Sequence, residues 1–176
     1  MKESEIPRKV KRVRDSQRSK VYQWEKNNLP NFFDIEFTLH DCKQLAYKAI
    51  WWWLRVPTGY VGTFMPIIKD GRGTRKARGG RKKINLPPWS RTYGVVLHET
   101  AHCIVARMGQ LQEDGGHGPY FMRMYIELLA RFHNMDNSKL LKSAKADKIK
   151  VASINQLNRP KNTVDMGELE LVLGVR

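Results

Sequence analysis

One short motif constrains this chain of 176 residues more than any other feature. Residues 98–102 form the sequence H-E-T-A-H. Residues four apart lie on the same face of an α-helix, so the imidazoles of His98 and His102 can reach one metal ion. Glu99 adjoins the first histidine, where its carboxylate can reach a water molecule beside the metal without binding the metal. The motif predicts a helix that supplies two metal ligands and a general base.

The residues around the motif favour a buried helix. Apolar residues flank it on both sides: Val95, Val96, Leu97, Ile104, Val105 and Met108. Before them, residues 87–90 (P-P-W-S) predict a loop that ends in a helix N-cap at Ser90, because a serine oxygen can accept hydrogen bonds from the free amides of a first helical turn. The alternative interpretation is a structural helix that carries two core histidines.

The third ligand decides the kind of metal site. A catalytic zinc site needs three protein ligands and one open position. Val105 and Met108 stand where the metzincin pattern places a glycine and a third histidine, so that pattern is excluded. We expect His117 instead, since the glycines around it let the backbone turn back toward the motif helix, and Pro119 suits the first turn of a second helix. Glu127, farther along that second helix, is the alternative third ligand.

Two stretches of the sequence resemble known families. The motif at 98–102, followed by G-H-G-P-Y-F at 116–121, resembles the SprT-like (Spartan-type) zinc metallopeptidases, which pair H-E-x-x-H with a downstream G-H-G-P-x-F. The segment R-D-S-Q-R-S-K-V-Y at 14–22 is similar to a smaller set of metallohydrolases from bacteriophages and actinobacteria. Some SprT-like proteins cleave proteins bound to DNA through an attached DNA-binding region or zinc ribbon, and this chain has no C-x-x-C pair for such a ribbon.

The resemblance implies a zincin-like α+β fold in a single domain, with a small mixed sheet and an active-site helix that carries the motif. It also implies a Zn2+ ion held by His98, His102 and His117, with Glu99 as the catalytic base. The domain would span residues 14–135. A disordered basic arm would precede it at 1–13, and a C-terminal extension at 136–176 would pack on it.

The charge of the chain is strongly positive. Lys and Arg number 32 against 17 Asp and Glu, a formal net charge of +15. Two segments are especially basic: residues 1–20 carry eight basic and three acidic residues, and residues 69–83 carry eight basic and one acidic residue. A positive field of this size attracts polyanions and gives salt-sensitive association with nucleic acid. We expect nucleic-acid contact through this arm and this loop, and the alternative is a solvated basic surface.

The cysteines and the apolar residues bear on the compartment. Cys42 and Cys103 give no disulfide framework, which is typical of a reducing cytoplasm. No apolar run approaches the roughly 20 residues that cross a bilayer, and the charged N-terminus lacks the apolar core of a secretory signal. We expect a cytoplasmic protein, in the host cytoplasm if it is viral.

Periodicity and turn residues predict the remaining elements. Helices are predicted at 15–27, 119–132 and 138–149. A further predicted helix begins with a capping box at 38–41 and ends at residue 52. The predicted strands are 33–37, 60–68, 81–86, 151–154 and 169–172, with 60–68 and 81–86 joined as a hairpin by a Gly- and Arg-rich loop. The strand before the motif helix would be an edge strand that pairs with an extended substrate. Three consecutive tryptophans at 51–53 cannot all face one core, so at least one packs elsewhere or stays partly exposed.

The sequence predicts a zinc-dependent peptidase that hydrolyses peptide bonds of a protein or peptide substrate. Glu99 would take a proton from water and deliver it to the leaving amine. Tyr120 and Tyr125 are the nearest candidates to stabilise the oxyanion. Two alternatives remain: a nucleic-acid-binding protein with a structural zinc site, and a zinc hydrolase of substrates other than peptides.

Overall fold

A computed structural model of the protein describes residues 14–29, 36–54, 65–110 and 116–157. Within these ranges the chain has the predicted α+β architecture, with five α-helices and one three-stranded mixed sheet. The helices are α1 (Arg18–Asn28), α2 (Leu39–Leu54), α3 (Tyr93–Arg107), α4 (Pro119–Phe132) and α5 (Asn137–Ala146). The strands are β1 (Ile67–Asp70), β2 (Arg78–Gly79) and β3 (Lys83–Leu86), and short 3-10 turns lie at Pro88–Ser90 and Ile154–Gln156.

The central element is α3, the helix that contains residues 98–102. Eleven of its fifteen residues are buried, and α2, α4, β2 and β3 all pack against it. A helix covered on every side in this way belongs to the core. The flanking apolar residues predicted this burial, but the predicted N-cap is wrong. The helix begins after Thr92, because Ser90 closes a 3-10 turn in which its hydroxyl donates a 2.7 Å hydrogen bond to the Pro87 carbonyl.

The sheet differs from the predicted hairpin. Strand β1 pairs with β3 in parallel, from Ile67 opposite Lys83 to Asp70 opposite Leu86. Strand β2 pairs antiparallel on the other side of β3, so the order is β1-β3-β2. The hairpin prediction is wrong because the Gly- and Arg-rich segment adds a strand of its own, with only two residues, before the chain returns. Consequently β3 is central, and the edge strand nearest the motif helix is β2.

Helix α2 begins and packs as predicted. The Thr38 hydroxyl and the Asp41 carboxylate exchange reciprocal hydrogen bonds with each other's backbone amides, a capping box that starts the helix. Trp51 and Trp53 are buried, whereas Trp52 is only partly buried and contacts the ring of Phe132. The three tryptophans therefore divide between different surroundings, as their angular spread on a helix requires.

The last described helix, α5, packs against both α1 and α4. The strand predicted at 151–154 is wrong: Ser153 and Gln156 form a capping box around a 3-10 turn, and this local bonding replaces an extended strand. The predicted arm at 1–13, the strand at 169–172 and most of the strands at 33–37 and 60–68 lie outside the described residues. None of the described helices is long and apolar enough to cross a membrane.

Candidate metal centre

Three histidine side chains converge at the junction of α3 and α4. The Nε2 atom of His98 lies 3.1 Å from that of His117 and 3.2 Å from that of His102. The ligand atoms of all three residues lie within 4.8 Å of one another. Tetrahedral coordination with zinc–nitrogen bonds of about 2.0 Å would separate two ligand nitrogens by about 3.3 Å. The three histidines could therefore hold a metal ion.

Local backbone geometry delivers the three side chains to this point. His98 and His102 are four residues apart on α3 and so share one face. His117 precedes α4, which begins at Pro119 as predicted and packs against α3. Gly116 has a φ of +114°, and a Cβ atom there would lie 2.9 Å from the Asp15 carboxylate. Glycine at this position allows both the turn and the close approach of Asp15.

Asp15 and Gln17 hold His117 from the N-terminal side of the chain. The Nδ1 atom of His117 lies 2.7 Å from Asp15 Oδ2, and its backbone amide donates to Asp15 Oδ1 at 3.3 Å. The buried side chain of Gln17 donates to the carbonyls of His117 and Lys150, each at 3.2 Å, and accepts from the Lys150 amide at 2.6 Å. The side chain and both backbone polar groups of His117 are thus fixed.

Glu25, on α1, holds His98 in the same way. Its Oε1 atom lies 2.5 Å from Nδ1 of His98, and both side chains are buried. Burial raises the pKa of Glu25 to about 7, against the opposing effects of His117 and of a hydrogen bond from Tyr125. A carboxylate at Nδ1 favours the tautomer with the proton on that nitrogen, which leaves the lone pair of Nε2 free to bind a metal ion. Sequence reasoning assigned no role to Glu25, or to Asp15 within the segment at 14–22.

This arrangement fits a metal ion better than an apolar core. When Nδ1 of His98 and His117 donates to a carboxylate, the lone pairs of their Nε2 atoms face each other at 3.1 Å. Two lone pairs at that distance repel each other unless a cation lies between them. Burial also lowers the pKa of His98 and of His102 well below the ordinary value, with further lowering from the neighbouring histidines. Both imidazoles are therefore neutral, as metal ligands must be.

Glu99 lies beside the histidines and faces β2. Its carboxylate accepts a hydrogen bond from the backbone amide of Gly79. A side chain at Gly79 would collide with the backbone of Glu99, so only glycine permits this contact between strand and helix. Burial raises the pKa of Glu99 to about 7, the Gly79 amide opposes this shift, and the charge of Glu25 adds to it. The structure places Glu99 next to the histidines but not among the candidate ligands.

A cavity of about 240 Å³ opens onto this region. His98, Glu99 and Glu25 line it together. Two exposed rings line it as well: Trp89 is 53% exposed, and Tyr22 is 39% exposed and stacks on His98 with ring centroids 5.8 Å apart. A substrate that entered this cavity would meet both a candidate metal ligand and the candidate base.

Other residues predicted near the site lie elsewhere or serve other contacts. Glu127, the alternative third ligand, pairs with Arg123 at 2.7 Å and accepts from Asn137 at 3.1 Å, and it is absent from the candidate metal cluster. Tyr125 is fully buried beside His98, with ring centroids 5.3 Å apart, and its hydroxyl is 3.5 Å from the Gly94 carbonyl. Cys103 is a buried free cysteine.

Comparison of the chain with protein-family models, with curated proteins and with solved structures finds no match. The geometry of the three histidines and of the residues that surround them is therefore the main indication of function.

Proposed function

We propose that the protein is a zinc-dependent peptidase of the zincin-like kind, with His98, His102 and His117 as zinc ligands and Glu99 as general base. The convergence of the three imidazoles carries the proposal: Nε2 of His98 lies 3.1 Å from that of His117 and 3.2 Å from that of His102, and all three ligand atoms lie within 4.8 Å of one another. Imidazole nitrogen is a preferred ligand of Zn2+, and a set of three is typical of catalytic sites. The SprT-like resemblance of 98–102 and 116–121 supports the same assignment.

The residues around the histidines have definite parts in the proposed reaction. When bound, a zinc ion supplies Lewis acidity that makes water more acidic and polarises a carbonyl. Glu99 accepts a proton from the water that attacks the carbonyl carbon, and it then donates that proton to the leaving amine. The Gly79 amide fixes the carboxylate of Glu99. Asp15 and Glu25 hold the imidazoles in the tautomer that presents Nε2.

The structure offers an argument against a purely structural zinc site. Structural sites are usually closed by a fourth protein ligand. Among the residues that the structure describes, no cysteine, aspartate, glutamate or further histidine joins the three histidines. A set of three ligands would leave the fourth coordination position of a zinc ion open for water and a substrate carbonyl, which favours catalysis.

The decisive experiment combines metal analysis with a cleavage assay. We expect about one zinc ion per chain by mass spectrometry, cleavage of members of a peptide library, loss of cleavage with a chelator, and recovery on addition of zinc. The Glu99→Gln variant should remain folded and zinc-loaded but cleave slower by a factor on the order of 10² or more. Undiminished cleavage by this variant would remove Glu99 from the mechanism. A zinc-loaded protein that cleaves no peptide would defeat the peptidase proposal.

A further inference from the structure

A strongly basic groove lies beside the cavity of the candidate metal centre. It has a volume of about 610 Å³. Its lining, as far as the structure describes the chain, includes no acidic side chain and four cationic ones: Arg75, Lys76, Arg78 and Lys83. Within the described ranges, no salt bridge involves any of these four residues. The groove therefore carries uncompensated positive charge that attracts an anionic ligand.

The groove adjoins the candidate catalytic region. Lys76 lines both the groove and the cavity that is lined by His98 and Glu99. Arg78, which also lines the groove, precedes Gly79 in β2, and the Gly79 amide donates a hydrogen bond to the Glu99 carboxylate. An extended ligand could therefore occupy the groove with one part while another part reaches Glu99.

We infer that this groove is a subsite for acidic residues of a polypeptide substrate, an inference that rests on the proposed peptidase function. Arg78, which lines the groove, belongs to β2, one of the two edge strands of the described sheet, and edge strands bind extended peptides through their backbones. On one face of such a peptide, the side chains of alternate residues recur about every 7 Å, so acidic residues at alternate positions can contact successive cations.

The lining of the groove favours a peptide over a nucleic acid. The side chains that accompany the four cations are the small polar groups of Thr74 and Asn85, which hydrogen bond to each other at 3.1 Å. Among the residues that the structure describes, no aromatic ring lines the groove. Binding of single-stranded nucleic acid commonly relies on stacking of bases on aromatic side chains. Carboxylates on a polypeptide need only the cations and hydrogen-bond donors that the groove supplies.

The test compares two fluorogenic peptides with the same cleavable core. One has flanking Asp and Glu residues, and the other has Asn and Gln at the same positions. We expect the acidic peptide to be cleaved with a kcat/KM roughly 10-fold higher at low salt, mainly through KM, because electrostatic complementarity acts on association. The triple variant Arg75→Gln, Arg78→Gln, Lys83→Gln should bring the ratio close to one. A control that removes the same charge from α5 (Lys139→Gln, Lys142→Gln, Lys145→Gln) should preserve it.

A binding measurement separates failure of this inference from failure of the proposed function. Fluorescence anisotropy with the Glu99→Gln protein should show tighter binding of the acidic peptide, and this preference should vanish in the groove variant. If that pattern appears but the unmodified protein cleaves neither peptide, the groove assignment stands and the peptidase proposal fails. Equal kcat/KM values for the two peptides would overturn the groove assignment alone. An oligonucleotide of equal charge that binds the groove more tightly than the acidic peptide would also overturn it.

Discussion

The two sides of α3 are built in different ways. On one side, His98 and His102 meet His117, and carboxylates from distant parts of the chain contact Nδ1 of His98 and of His117. On the other side, α2 packs against α3 with its buried apolar side chains, and the Trp53 indole donates a hydrogen bond at 3.2 Å to the sulfur of Met108, the residue that follows α3. The comparison teaches that a dry interface needs only apolar periodicity, whereas a metal centre needs specific partners that local periodicity does not predict.

The largest effect should come from the ligands themselves. Replacing His117 with Ala removes one of three imidazoles, so zinc affinity should fall by more than about 100-fold and peptide cleavage should fall with it. Zinc titration with a competing chelator measures the change. The matched variant Glu127→Ala should bind zinc like the unmodified protein, because Glu127 pairs with Arg123 instead. The opposite outcome would transfer the third-ligand role to Glu127.

The second-largest effect on zinc affinity should come from the two carboxylates that contact Nδ1 of His98 and of His117. The variants Asp15→Asn and Glu25→Gln keep the shape of the side chain but weaken the acceptor at Nδ1, so zinc affinity should fall by about 10- to 100-fold. The same chelator titration applies, with circular dichroism to check the fold. A Glu127→Gln control should change the affinity little. Unchanged affinity in both carboxylate variants would mean that the three imidazoles need no long-range support.

A smaller effect is expected where β2 meets α3. Gly79→Ala places a methyl group against the Glu99 backbone and must displace the strand, which should destabilise the fold by about 1–3 kcal/mol. Gly80→Ala is the matched comparison, because its Cβ would make only an ordinary 3.6 Å contact with the Lys83 carbonyl. Thermal unfolding should show a lower Tm for the first variant and a nearly unchanged Tm for the second. Equal Tm values for the two variants would show that β2 does not pack tightly against α3.

The smallest effect is expected on the side of α3 that packs against α2. Burial raises the pKa of the Cys42 thiol to about 11. The thiolate is the reactive form, so at pH 8 only about one thiol in a thousand is ionised, and the reactive fraction grows as the pH rises toward 11. A disulfide reagent should therefore label Cys42 very slowly in the native Cys103→Ser protein and rapidly after unfolding. Fast labelling of the native protein would show that the α2 interface opens readily.

The sequence predicted the parts of the fold that depend on local spacing. The buried helix at 93–107, the helix that begins at Pro119 and the capping box at Thr38 all follow from residues close to one another. The predicted hairpin was wrong, because a parallel pairing and a two-residue strand leave almost no periodic signal and tertiary packing outweighs local preference there. The predicted Ser90 cap was wrong for a local reason, since the Ser90 hydroxyl donates to the Pro87 carbonyl within a 3-10 turn.

In the candidate site, too, local features could be predicted from the sequence and long-range contacts could not. Residues 98–102 and His117 could be predicted from spacing and resemblance, and the structure brings the three histidines together. Asp15 and Glu25 could not, since they lie 102 and 73 residues from their histidines and nothing local marks them as partners. The zinc ligation, the chemistry of Glu99 and the nucleic-acid contact predicted from charge remain predictions.

The hydrogen bonds of Gln17 have a consequence for the time at which the centre forms during protein synthesis. Gln17 joins His117 to Lys150, 133 residues farther along the chain than itself. A nascent chain that has just exposed all three histidines therefore still lacks the segment that secures Gln17. Closing so long a loop carries an entropic cost that the contacts of the folded chain must offset. We expect a nascent chain that has exposed its residues through Lys150 to retain zinc more tightly than one that ends before them.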